Sequence, residues 1–284
     1  MSDELKTTDH SRDSAGLRYV YPVISRRAGG VSVGINLNTN NACNWRCIYC
    51  QVPDLARGGP PPVDMTLLEQ ELRGFLHELL HGDFMQTRVP EGARRINDIA
   101  LSGNGEPTSA EGFADVIDLV CRLKEELKLS PQIKLVLITN GSLLQRDNVQ
   151  QGLRRMTQCN GEIWFKLDRA SEAGMMQVND THVTLDKVRR NLALAIEYCP
   201  NTWLQTCWFA LDGKAPGRQD EDDYVHFLES ILEDGVQPRG MLLYTLARPS
   251  LQPEAPRLTA LSHDALEGFA SRIRALGIEV KVAD

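Results

Sequence analysis

The sequence predicts an α/β protein, a partial (β/α)6 barrel of the TIM type with parallel strands and outer helices. Three observations carry this. Short β-branched and apolar runs alternate along the chain with amphipathic helical stretches, the βαβα order of a parallel sheet covered by helices. Six such β/α units and one weaker final strand can be counted between residues 31 and 282. The 284 residues suffice for one large barrel, and no internal repeat, low-complexity segment or composition break marks a second domain. Residues 1–16 are expected to be a disordered polar tail, and 17–284 a single core domain.

The first strand is expected at residues 31–36, followed by a cysteine-rich segment and a Pro/Gly-rich loop over 53–63. Thr66 and Glu69 have capping-box spacing at the start of a helix whose apolar stripe is Leu68, Leu72, Phe75, Leu76, Leu79 and Leu80, and which Gly82 ends. A second strand over 96–101 runs into Ser102-Gly103-Asn104-Gly105-Glu106-Pro107-Thr108. The helix after it carries Phe113, Val116, Ile117, Val120, Leu123 and Leu127 at helical spacing and stops before Pro131. A third strand over 133–138 ends in Thr139-Asn140-Gly141, and a helix over 143–156 follows. The fourth strand, 162–167, ends at Asp168, and a helix over 185–198 precedes Pro200. The fifth strand is 203–209, the next helix 224–232 and the sixth strand 240–246. A proline-rich loop over 248–256, a helix over 262–276 and a short strand over 278–282 complete the chain. In parallel barrels the chemistry gathers at the C-terminal ends of the strands, and the motifs below fall there.

Composition is that of an ordinary globular protein, 42% hydrophobic and 24% charged. No apolar run is long enough to cross a membrane, and the first residues lack the apolar core of a signal peptide, so a cytoplasmic location is expected. The net charge of −7 is a poor match to a phosphate backbone, which disfavours a large nucleic-acid substrate without excluding one. The Arg pairs at 26–27, 94–95, 154–155 and 189–190 are scattered and read as solvated faces. Seven cysteines without an export signal argue against disulfides; Cys121, Cys159, Cys199 and Cys207 read as inert thiols, with Cys121 packed beside its helix's apolar stripe.

The other three cysteines, Cys43, Cys47 and Cys50, have the spacing CxxxCxxC. Three thiolates on one short loop can hold three irons of a 4Fe–4S cubane and leave the fourth iron open, whereas structural zinc wants a closed set of four. Neither a fourth Cys nor a His lies in the loop. Buried free thiols and a zinc site with a distant fourth ligand are the alternatives.

The motif resembles that of the radical S-adenosylmethionine (radical SAM) superfamily, in which an aromatic residue, here Tyr49, precedes the last cysteine. The resemblance implies a 4Fe–4S cluster and S-adenosylmethionine as cofactors, with the cofactor's methionine on the free iron. It implies reductive cleavage to a 5′-deoxyadenosyl radical that takes hydrogen from a substrate, and an external electron donor of flavodoxin or ferredoxin type. Gly103-Asn104-Gly105-Glu106-Pro107 stands where the family has its glycine-glycine-glutamate-proline element, with Asn104 splitting the glycine pair. Thr139 and Asn140 resemble the family's next cofactor-facing turn. Lys166 and Asp168 share one face of a strand, which reads either as a mutual ion pair or as contact with the cofactor. Gln205 lies on the strand from which the family often touches the cofactor. Tyr244 and Arg248 flank the next strand end and are candidates for substrate contact.

Residues 31–250 resemble most the group related to the wyosine-tRNA synthases, through the Asn-rich approach to the cysteines, Cys50-Gln51, the 102–108 run, Thr139 to Leu144 and Tyr244 to Pro249. Yet no cysteine precedes Cys43, so the second cluster of those synthases has no ligands here. Fold and cofactors are therefore expected to transfer, and the tRNA substrate is not; a small or medium-sized substrate is expected instead.

Two other classes of function remain to be weighed. A non-catalytic iron–sulfur module, a sensor or electron carrier, would not need the Gly-Glu-Pro turn. His77-Glu78-Leu79-Leu80-His81 fits the HExxH pattern of zinc proteases, but both histidines point away from the apolar stripe, toward solvent.

Overall fold

A computed structural model of the chain describes residues 5, 15–24 and 29–283. Its main sheet has eight strands in chain order: β1 (Val20–Ile24), β2 (Val31–Ile35), β3 (Ile96–Leu101), β4 (Lys134–Thr139), β5 (Gly161–Lys166), β6 (Thr202–Cys207), β7 (Gly240–Tyr244) and β8 (Val280–Ala283). β1 pairs antiparallel with β2, and every later neighbour pairs in parallel. Among the described residues no pairing joins β8 back to β1, so this is an open, partial barrel. The longer helices are α1 (Met65–His81), α2 (Phe113–Glu126), α3 (Asp147–Thr157), α4 (Glu172–Asn179), α5 (Leu185–Tyr198), α6 (Arg218–Glu233) and α7 (His263–Arg274), with a five-residue helix, Phe84–Arg88, after α1.

Alternation along each strand divides the barrel into two environments. Ile99 and Leu101, Leu135 and Leu137, Ile163 and Phe165, Leu204, and Met241 and Leu243 are buried in one apolar cluster with the helix stripes. The intervening positions, among them Asp98 and Ala100 of β3 and Trp164 and Lys166 of β5, line an interior cavity instead. Side-chain caps set several helix starts: Asp64, Ser171, Thr184 and Ser262 each accept a hydrogen bond from an amide of the first turn.

The predicted fold class holds, with several differences in detail. β1 was not expected; its five residues lack the polar alternation of an exposed edge because both faces are buried. α4 was also missed, being short and weakly amphipathic. The capping box at Thr66 and Glu69 does not form. Asp64 caps α1 through the Leu67 amide, 3.0 Å away, and Glu69 binds Arg73 and Arg122 at 2.9 and 2.8 Å. Leu80 of the expected stripe is 40% exposed. α3 starts at Asp147 after a turn, and α6 already at Arg218. The fifth strand stops at Cys207; Phe209–Leu211 turns away and pairs with Leu258–Ala260.

The expectation of free thiols at Cys121 and Cys159 is also corrected. The two form a disulfide, their Cα atoms 5.7 Å apart, because α2 packs on α3 and brings together positions 38 residues apart. Most of the expected tail, and Arg26 and Arg27, lie outside the described residues. Within the tail, Leu5 is buried in the core cluster and its amide donates to the Arg88 carbonyl. Among the described residues no helix is long and apolar enough to cross a membrane.

Candidate functional site

Cys43, Cys47 and Cys50 follow β2 and line the cavity at the C-terminal ends of the strands. Trp45 and Ile48 between them are buried and anchor the loop. Its backbone is tied on two sides. Arg46 and Ile48 amides donate to the Asn179 and Val178 carbonyls at the end of α4. Ser250 and Gln252 donate side-chain bonds to the Ile48 and Val52 carbonyls, at 2.8 and 2.9 Å. Burial pushes the Cys43 thiol up to about 11 and the Cys47 thiol up to about 12. Such thiols ionise readily only when a metal takes the place of the proton.

The second strand-end turn packs directly against this loop. Gly103 has φ +138°, and a Cβ there would stand 2.4 Å from Asn36 Oδ1. A Cβ on Gly105 would stand 2.2 Å from the Ala42 carbonyl oxygen, within the cysteine loop itself. Asn36 Oδ1 accepts from the Asn104 amide at 3.0 Å, and Asn104 Nδ2 donates to Asn41 at 2.6 Å. The asparagine-rich approach is thus the scaffold joining the two loops.

Glu106 is 2% exposed, and its carboxylate is fully engaged. One oxygen accepts from the Thr108 amide and from the hydroxyls of Thr108 and Thr139; the other accepts from the Asn140 amide at 2.6 Å. Glu106 therefore fixes the Thr139-Asn140 turn. Pro107 is buried in the short helical turn that begins there. Asn140 Nδ2 reaches back to Asn44 Oδ1 of the cysteine loop at 2.8 Å, so three strand ends are tied into one body.

The opposite wall holds a compact polar network. Tyr49 donates to Asp168 Oδ2 at 2.6 Å, and Lys166 Nζ donates to the Tyr49 hydroxyl at 2.5 Å. Lys166 and Asp168 are 3.9 Å apart, so the predicted shared face is realised as an ion pair. Burial works against the Lys166 ammonium, but Asp168 and other nearby groups outweigh it and raise its pKa. Burial, then Asp168, pushes the Tyr49 hydroxyl well above its ordinary value. Asp168 is completed by the Cys207 amide at 2.9 Å and by Asn179 Nδ2 at 2.7 Å. The same Asn179 Nδ2 lies 3.2 Å from Cys47 Sγ. No motif announced Asn179; it belongs to the helix the sequence reading missed.

All the predicted site residues but Pro107, Thr139 and Asp168 line one cavity of about 370 Å³, and those three brace its walls. Tyr244 and Arg248 also line it. Three buried acceptors in this body have no partner among the described residues, Asn104 Oδ1, Asn179 Oδ1 and Gln205 Oε1. A ligand bearing N–H or O–H donors would satisfy them. Three free thiols on one cavity wall, a cradle that tolerates no Cβ and unfilled acceptors are chemically suited to an iron–sulfur cluster with a donor-bearing cofactor beside it, although among the described residues the thiols are not drawn together into a ready metal-holding group. The HExxH stretch does not join this site: His77 and His81 are exposed, and Glu78 accepts from the Asp83 and Phe84 amides at 3.1 and 3.3 Å.

The fold is that of the radical SAM enzymes. SuiB of Streptococcus suis bound to S-adenosylmethionine superposes with a TM-score of 0.56 at 11% identity, covering 88% of this chain and 49% of that one. TYW1 with a lysine-pyruvate adduct bound gives a TM-score of 0.56 at 12% identity, covering 87% of this chain and 74% of that one. By sequence, a UPF0026 protein of Helicobacter pylori is 29% identical over 134 residues, 47% of this chain and 38% of its own length. The match thus spans well under half of that curated relative. No family model matches the sequence.

Proposed function

We propose that this chain is a radical SAM enzyme, with Cys43, Cys47 and Cys50 holding a 4Fe–4S cluster, one iron of which is left open for S-adenosylmethionine. The observation that supports it most is the convergence of the three thiols, the Gly103–Gly105 cradle and the unpartnered Gln205 acceptor on one cavity. When bound, the cluster and S-adenosylmethionine together supply one-electron cleavage to a 5′-deoxyadenosyl radical, which removes hydrogen from a substrate. The chain's own residues orient and enclose. Gly103, Asn104 and Gly105 offer backbone and amide acceptors to the methionine end. Glu106 and Pro107 hold that turn, and Thr139 and Asn140 hold the next. Tyr49, Lys166 and Gln205 form the wall facing the rest of the cofactor, with Asp168 holding Tyr49 and Lys166 in place from behind. Residues 17–284 form the catalytic core in this reading, served by an external donor of flavodoxin or ferredoxin type, in the cytoplasm.

The test is anaerobic reconstitution with iron and sulfide, reduction by dithionite, and mass spectrometry for 5′-deoxyadenosine after S-adenosylmethionine is added. Formation that is lost on replacing any one of the three cysteines supports the reading. A cluster that forms but never binds S-adenosylmethionine would instead make the chain an iron–sulfur module without this chemistry.

A further inference from the structure

The cavity does not end at the cofactor wall. It continues down the inner faces of β1, β2 and β3, to Val23, Ser32 and Asp98. Barrel interiors are ordinarily filled by large branched side chains. Here several inward positions of two adjacent strands are small, Ser32 and Gly34 on β2 and Ala100 on β3, with Ser102 just past the end of β3. The Tyr21 ring lies over Gly34, where a Cβ would come within 2.3 Å of it, and its hydroxyl pairs with Ser102 Oγ at 2.8 Å. The Tyr21 ring thus fills the room over Gly34, and the open space beside it is left by the small side chains of Ser32 and Ala100.

At the bottom stands Asp98, 6% exposed. Among the described residues its only hydrogen-bond donor is the Ser32 hydroxyl, and no cation lies within ion-pairing distance of it. Lys134, whose charge acts on it, is turned to Glu162 at 2.6 Å. Glu162 also accepts from Trp164 Nε1 at 2.7 Å, so it is satisfied. Among the described residues Asp98 therefore has no ion-pair partner of its own. An isolated buried carboxylate is costly unless something else meets it. Burial lifts its carboxyl to about 6, which leaves it mostly ionised at neutral pH.

We infer that this lower chamber is a substrate subsite, and that its occupant is a small organic cation, an amine or amidine, held by Asp98. The inference rests on the radical SAM reading for the word substrate, but the binding itself does not require it. A planar amidinium could meet the free carboxylate oxygen with N–H donors, the pairing that gives carboxylates their strongest and most directional bonds. The small inner wall leaves room for an apolar body beside it, against Val23 and Ala100. A substrate held there would present its other end upward, toward the cofactor wall.

The experiment compares three isosteric probes, benzamidinium, benzamide and benzoate, by calorimetry on the full chain before and after reconstitution. Benzamidinium should bind at least about tenfold more tightly than benzoate. Nuclear Overhauser contacts from its ring should reach the Ala100 methyl group. Asp98→Asn, nearly isosteric, should abolish the preference for the cation. Equal affinity for the three probes, no binding of any, a contact pattern away from Ala100, or a preference that persists in Asp98→Asn would each overturn the inference. The wild-type comparison and the contacts decide the matter even if the variant does not fold. Formation of 5′-deoxyadenosine by the wild-type chain is read separately, so loss of the enzymatic reading and loss of the subsite are distinguishable.

Discussion

Asn179 Nδ2 lies 3.2 Å from Cys47 Sγ and 2.7 Å from Asp168 Oδ2, joining a thiol of the cysteine loop to the carboxylate of the facing wall. Hydrogen bonds to cluster sulfur favour the reduced, more negative state. Asn179→Leu should therefore make the reconstituted cluster harder to reduce. A bond worth about 1 kcal/mol corresponds to a downward shift of roughly 40 mV for one electron. Potentiometric titration followed by electron paramagnetic resonance measures it, and an unchanged or higher midpoint would count against the N–H···S contact.

Cys47→Ala should abolish both cluster and cofactor cleavage while leaving the barrel folded. The thiol sits on a loop, and the core cluster includes neither Cys47 nor its two partners. Iron and sulfide content should fall and the far-ultraviolet circular dichroism should stay as in the wild type. A variant that kept 5′-deoxyadenosine formation would overturn the ligand assignment.

Glu106→Gln should destabilise the chain by about 1–3 kcal/mol, because an amide NH2 would replace one oxygen in a shell made only of donors. Urea unfolding measures this. The disturbed Asn140 turn should also weaken S-adenosylmethionine binding to the reconstituted protein, which a wholly local loss of stability would not do.

Asp98 predicts a pH dependence with a definite sign. Burial raises its carboxyl from 3.8 to about 6, so the native state holds a proton that the unfolded chain has already lost. Stability from this group is fully present below about pH 4 and is lost as pH rises through 6, then changes no further. Against Asp98→Asn, the wild type should therefore lose ground between about pH 4 and pH 6 and run parallel above it. Urea midpoints at several pH values test this, and a difference that grew in favour of the wild type with rising pH would refute it.

Much of the frame was legible in sequence. The strands from Ile96 to Tyr244 and the helices with continuous apolar stripes announced themselves, because period-two and period-3.6 patterns follow directly from which face is buried. β1 and α4 did not, one being buried on both faces and the other only eight residues long. The site divided in the same way. Cys43, Cys47, Cys50 and the 103–107 run lie close together in the chain, and their spacing is visible. Asn179, Ser250, Gln252 and Asp98 reach the cavity or the cysteine loop from distant segments, and only the folded backbone brings them there. The Cys121–Cys159 pair was hidden for the same reason, since it depends on how two helices pack.

Gly105 meets the Ala42 carbonyl so closely that not even one methyl group fits between them. The upper rim of this protein is consequently a fixed instrument, intolerant of variation at its joints. The lower chamber is bounded by side chains such as Val23 and Ala100 whose exchange would alter volume without disturbing that joint. Inheritance can therefore act on the two halves at different speeds: a few inward positions of β1 to β3 could be rewritten, changing the shape and charge of the lower chamber, while the joint above them passes down unaltered.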